Sequence, residues 1–161
     1  MVRPAIIAGI VVLATSAPIA AQVPKQPGPQ PGDGASVESV LTALYATVTR
    51  AKGQPFDWPR MRGLFLPGAQ LVPASYAGTG EVQRYTVESF VTMIDESWAR
   101  SAPLGSDRDQ GFFERQVNTV KEQYGNIAMA FSTYEKGLPV PGARLTKGIN
   151  TVQLVRSGGR W

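Results

Sequence analysis

The chain contains no cysteine and no histidine in 161 residues. Without Cys there is no disulfide frame, no thiolate nucleophile and no Cys-based zinc site. Without His, the usual proton shuttle at neutral pH and the commonest metal ligand are both missing. Together these absences exclude Ser-His-Asp and Cys-His mechanisms. Acid–base chemistry would have to come from carboxylates, Tyr or Lys with shifted pKa values. No metal or cofactor is expected. A dominant charge is lacking too: 16 Lys+Arg stand against 12 Asp+Glu, with no long block of like sign. With no recognition-helix motif or basic–aromatic ladder either, the mild cationic excess points away from nucleic acid.

Long apolar runs are equally scarce, and the one present opens the chain. "MVRPAIIAGIVVLATSAPIAAQ" joins Arg3, an apolar stretch from Ala5 to Ala17, and a small-residue end suited to cleavage after Ala21. Residues 1–21 therefore read as an export signal peptide. The alternative is a retained anchor, but the run falls slightly short of the ~20 residues a span needs. Cleavage would leave a periplasmic or secreted chain with no membrane attachment, and the absence of Cys near the cut argues against a lipoprotein. "QVPKQPGPQPGDGA", residues 22–35, alternates Pro with Gly and has almost no apolar side chain. It cannot bury enough surface to offset its ordering entropy, and is expected to be a flexible tether. It lacks the PxxP core with a flanking Arg that a polyproline ligand would show.

From Ser36 the pattern changes. Val37, Val40, Leu41, Leu44, Tyr45 and Val48 recur at spacings of three and four, one face of a helix with Ser36 as N-cap and Gly53 as its close. "DWPRMRGLF" predicts a short helix capped by Asp57, with Pro59 in the first turn. "AQLVPAS" reads as a short strand. Thr86 caps a third helix with Val87, Phe90, Val91, Ile94 and Trp98 as its stripe. After "SAPLGSDRDQG" the period becomes two. Strands are predicted over residues 112–123, with mixed facing, then 127–136 and 145–156, and another begins at Arg160. The D-x-D of "SDRDQG" does not match a calcium loop, because Gly111 falls one place early and Asn118 stands where the closing Glu belongs. Helices first and a meander afterwards is an α+β signature.

"DWPRMRGLF", "FSTYE" and "GINTVQLVRSGGRW", in this order behind a long helix, resemble the nuclear transport factor 2-like superfamily, and more narrowly the bacterial SnoaL-like proteins. The resemblance covers residues 36–161. It implies a curved antiparallel sheet wrapped around three N-terminal helices as a cone. Related sequences continue past the Trp of "GGRW" with an apolar strand, so a truncated last strand or an exposed sheet edge is expected here. The superfamily includes ketosteroid isomerases, dehydratases and polyketide cyclases, which use Asp with Tyr, or Asp with His, inside the cone. None of those patterns transfers residue by residue.

In "YGNIAMAFSTYE", Ile127, Met129, Phe131, Thr133 and Glu135 share one face, and Ala128, Ala130, Ser132 and Tyr134 the other. The large apolar face is expected to meet the helices, giving an apolar pocket with a polar lip at Thr133 and Glu135. Burial there would raise the pKa of Glu135 and make it a candidate base. The candidate lining adds Tyr45, a phenolic donor on the first helix, with Trp58, Phe65, Phe90 and Trp98. The bland alternatives are that Thr133 and Glu135 emerge into solvent, that Tyr45 and the other aromatics are core, and that Asp57 is only a cap. The absences favour a non-catalytic domain that binds a small apolar ligand or another protein, with the outer sheet face as a candidate homodimer surface. The competing reading is an isomerase, cyclase or dehydratase that transfers protons between carboxylate and Tyr.

Overall fold

The computed structural model describes residues 30–74 and 82–161. The leader and the first part of the tether lie outside the described residues. Three helices, α1 (Val37–Thr47), α2 (Trp58–Leu64) and α3 (Val87–Ser101), precede a three-stranded antiparallel sheet. Its strands are β3 (Phe113–Tyr124), β4 (Ile127–Gly137) and β5 (Thr146–Val155), in the order β3-β4-β5. A two-residue ladder joins β1 (Gln70–Leu71) to β2 (Tyr85–Thr86), which runs straight into α3. The architecture is α+β, and the sheet is not closed. No helix among the described residues is long and apolar enough to cross a membrane.

The helix starts follow from side-chain chemistry. Ser36 Oγ accepts from the Ser39 N–H at 3.1 Å while Ser39 Oγ accepts from the Ser36 N–H at 2.8 Å, a reciprocal box that satisfies two orphan donors. Asp57 and Thr86 accept from Arg60 N and Ser89 N in the same way. α1 stops at Thr47, well before Gly53. Arg50 exchanges backbone hydrogen bonds of 2.8 and 2.9 Å with Phe112, which pulls the chain out of helix and ties it to the start of the sheet. The 30–35 segment, expected to belong to the tether, instead forms turns against the body. Asp33 is buried and grips Arg60 through two bonds of 2.9 and 2.7 Å. Where another strand was expected at Arg160, the Ser157–Arg160 turn closes and the Trp161 N–H donates to Gly34 O.

α1 lies between two apolar clusters. One side, Val37, Val40 and Leu41, packs on Ala128, Ala130 and Leu154 of the sheet. The other side, Leu44 and Val48, packs with Phe56, Trp58, Met61 and Val91 between the helices. Each large side chain fully buried this way contributes about 1.5–3 kcal/mol relative to exposure.

The sheet faces the opposite way from the expectation. Ala128, Ala130 and Ser132 are buried under α1, while Ile127, Met129 and Phe131 are exposed. The reason is packing: α1 brings its own large stripe, and close helix–sheet approach leaves room only for small residues opposite it. The mixed facing of the first long strand has a cause as well. The pairing slips by one between Gln116 and Asn118, so Val117 bulges out and the phase reverses.

Candidate functional site

The nine residues expected to line one pocket fall in four places. Trp58, Phe90 and Trp98 sit in the interhelical cluster, where the Trp58 indole N–H donates to Asp95 at 2.8 Å and Phe56 stacks on Trp58. Tyr45 faces the inner side of the sheet. Met129, Phe131, Thr133 and Glu135 belong to the outer side. Phe65 packs on the edge of the interhelical cluster and lines a separate groove. The single pocket of the sequence reading is therefore dispersed. Three arrangements take its place.

The first is the outer face of the sheet. Cross-strand pairing stacks it in rows: Tyr124–Ile127–Val155, Glu122–Met129–Gln153, Val120–Phe131–Thr151 and Asn118–Thr133–Ile149. Val120 is 61% exposed, Ile127 58%, Phe131 47% and Ile149 63%. Large side chains on adjacent strands thus form one bare apolar surface. A row of charge closes it: Arg115, Glu135 and Lys147 are cross-strand neighbours. Arg115 Nε donates to Glu135 Oε1 at 2.8 Å. Glu135 is buried, but beneath Arg115 rather than beside the helices.

The second is a polar row on the inner face, Thr119–Ser132–Asn150, with Tyr45 of α1 above it. The Tyr45 hydroxyl donates to Ser132 Oγ at 2.8 Å and accepts from Asn150 Nδ2 at 3.4 Å. Burial pushes the phenol pKa up, partly offset by the Ser132 and Asn150 contacts. Tyr134 lies 6.3 Å from Tyr45, ring centre to ring centre, and Gly148 leaves room for its phenol. Beyond it stands Glu114, whose carboxyl is pushed up by burial, with Lys136 and the Asn150 amide pulling the other way. The sequence reading missed Glu114, Ser132 and Asn150. The signal available was the run of small polar residues at corresponding positions of three predicted strands.

The third is a groove of about 250 Å³ between α1, the end of α2 and β5, lined by Val40, Leu44, Phe65, Leu154, Arg160 and Trp161 among others.

The "SDRDQG" loop, which fails as a calcium site, has a structural use. Asp109 is fully buried and accepts from the N–H groups of Gly53, Gly105 and Gly111 at 3.0, 3.0 and 3.1 Å. These bonds, with Arg50 at 2.8 Å, hold its carboxyl well below the usual range. The Arg50 guanidinium also lies 4.7 Å from the Trp98 ring centre, so charge and aromatic cluster are packed as one unit. This knot anchors the loop and leaves no open position for a substrate.

Comparison with family models, curated proteins and solved structures finds no match to this chain, so its functional reading rests on this geometry.

Proposed function

We propose that the chain is an exported interaction domain of the nuclear transport factor 2-like type, and that the outer face of its sheet docks a second copy. One observation carries the reading: the rows around Val120, Phe131 and Ile149 present large apolar side chains to solvent on adjacent strands. Monomeric proteins rarely leave such a surface uncovered. From strand spacing and rise, the face measures roughly 15 by 30 Å. That is about half of the ~800 Å² a standard interface takes from each partner, so it would form the apolar centre with a polar rim around it. Two such faces pack readily across a twofold axis. The helices-then-meander order supports the family reading, and curvature of the sheet around the helices belongs to that reading. The leader supports export, and the apolar groove supports a small apolar ligand.

Sedimentation across a concentration series tests the docking. The wild-type chain is expected to dimerise, and Phe131→Lys with Ile149→Lys to stay monomeric with an unchanged circular dichroism spectrum. A wild-type monomer at ~100 μM, where any interface of standard strength would be filled, ends the reading.

A second reading has its own observation: the half-buried Glu114 carboxyl shares Asn150 with the Tyr45 hydroxyl. That is a carboxylate and a phenol within one network, the equipment for proton transfer in an isomerase, cyclase or dehydratase. Turnover in a panel of such substrates, lost in Glu114→Gln and kept in Glu135→Gln, would support it. No wild-type turnover across the panel would remove it.

A further inference from the structure

The rows of the outer sheet face follow an order along the strands. Both end rows are apolar. One is Phe113–Gly137 with Leu145, whose side chain lies where a Cβ on Gly137 would stand. The other is Tyr124–Ile127–Val155. Next inward at the first end come Arg115, Glu135 and Lys147, two cations against one carboxylate. Next inward at the second end comes the Met129 row, whose one charge is Glu122. Glu122 has no ion-pair partner among the described residues; its neighbour Lys121 turns to the other face and pairs with Glu38 of α1. The rows around Thr133 and Phe131 lie between. From either end the order is apolar, charged, mixed, and the two charged rows carry opposite net sign.

Two copies of such a face can meet about a twofold axis in two ways. An axis along β4 lays each row on itself. Arg115 of each copy then faces Lys147 of the other, and the two Glu135 carboxylates meet near the axis. Like charges set against each other cost affinity. An axis across the strands, between the Phe131 and Thr133 rows, turns the order end for end. The Tyr124 row then lies on the Phe113 row, with Ile127 over Gly137, which has no side chain in the way. Glu122 of each copy meets Arg115 of the other. The two Phe131 rings flank this axis, about 7 Å apart along the strands, near enough for ring contact. Packed sheets cross at about 30°, which shifts the charged rows sideways by about one strand spacing. The long Glu and Arg side chains span that shift.

We propose that the second copy docks with its strands antiparallel to the first, about an axis crossing β4 between Phe131 and Thr133, and that Glu122 and Arg115 select this orientation. The match of the two ends is what favours a second copy as the occupant. A segment of unrelated sequence has no reason to complement both, whereas a copy turned end for end does so by symmetry, residue i meeting j and j meeting i. The inference rests on the self-docking reading and adds to it the orientation and the charge pair that sets it. α1 and the polar row around Tyr45 stay on the far side of each sheet, uncovered by the other copy.

The test is a double-mutant cycle on the full chain, with dimer affinity read by sedimentation across a concentration series. Within one chain Glu122 and Arg115 stand about 20 Å apart along the sheet, too far to couple, so any coupling between them reports the interface. Glu122→Arg is expected to weaken the dimer about tenfold, by setting Arg against Arg at two places. In an Arg115→Gln background, where Gln still offers donors to Glu135, the same change should cost less than about twofold. Equal losses in both backgrounds overturn the proposal. A second measurement needs no change at the interface. The chain has no cysteine, so Asn126→Cys in the exposed turn after β3 takes one spin label per copy. The label–label distance in the dimer is expected at roughly 40 Å, from the strand rise on both sides of the axis. A distance of roughly 20 Å or less assigns the axis along the strands and overturns the proposal. In either failure the wild-type dimer remains and the self-docking reading stands. A wild-type chain that stays monomeric at ~100 μM ends both.

Discussion

The two faces of the β3–β5 sheet are built from the same three strands and end in opposite environments. The inner face is small and polar at its centre, with Ala128, Ala130 and Ser132 buried under α1. The outer face carries Ile127, Met129, Phe131 and Ile149 and lies bare. A rule that puts large apolar side chains inside would reverse this arrangement. The difference teaches that the covering element decides. α1 already supplies Val37, Val40 and Leu41, and the sheet beneath it must give way to them.

The largest expected effect comes from forcing the inner face to resemble the outer one. Ala130 is fully buried against α1. Ala130→Leu adds a branched side chain where α1 sits, and is expected to cost about 1–3 kcal/mol. For a domain of this size that lowers the melting temperature by roughly 4–11 °C. The matching change on the other side, Thr151→Leu, sits on exposed surface and is expected to leave stability nearly unchanged. Thermal melts of the two variants decide the point: equal losses would mean that the faces are not distinct.

Next in size is a change that tests the fit between strands. Gly148 stands beside Tyr134, and a Cβ there would run into the phenol. Gly148→Ala is expected to cost about 1–2 kcal/mol, since the ring end must move within packed surroundings. In a Tyr134→Leu background the obstruction is gone. There the same substitution should be neutral or slightly stabilising, because Ala restricts the unfolded chain more than Gly. A double-mutant cycle in denaturant reads this coupling directly. An unchanged cost in both backgrounds would place the obstruction elsewhere.

How far the sequence carries depends on the range of the interaction. The caps Ser36, Asp57 and Thr86 were legible because each bonds within three residues of itself. The three long strands were legible from their period of two, to within a residue or two at each end. The choice of face was not, since alternation separates two faces and says nothing about what covers them. The candidate site suffered most. Tyr45 was named as a phenol of the pocket or as core, but its partner Ser132 lies 87 residues away on the face assigned to the outside. Asp109 gave a local motif that failed as a calcium loop. Its real partners, Arg50 and Gly53, sit more than fifty residues earlier. Arg60 and Asp33 found each other across a segment that composition marked as tether.

A smaller effect separates the inner polar row from its surroundings by pH. Glu114 has its carboxyl raised above the ordinary value of 4.5, chiefly by burial. A carboxyl raised on folding contributes stability that is fully present below that value and is lost as pH climbs through the raised one. Denaturant midpoints measured from pH 4 to 7 should therefore decline less in Glu114→Gln than in the wild type. An identical decline would mean that Glu114 is as well solvated as its neighbours on the outer face.

The smallest expected effect is also the one most able to break the comparison. Ile149 is large, β-branched and 63% exposed, on the outer face beside Thr133. Ile149→Thr keeps the branching that suits a strand and removes only apolar surface that water already reaches. Measured at sub-micromolar concentration, where a dimer of moderate affinity has come apart, the change is expected within about 0.5 kcal/mol of zero. At high concentration the same variant should lose stability, because a dimer adds stability in proportion to its occupancy. A loss of about 2 kcal/mol at both concentrations would mean that something within the single chain covers Ile149. The outer face would then be a second core, and the contrast with the inner face would vanish together with the surface assigned to the partner.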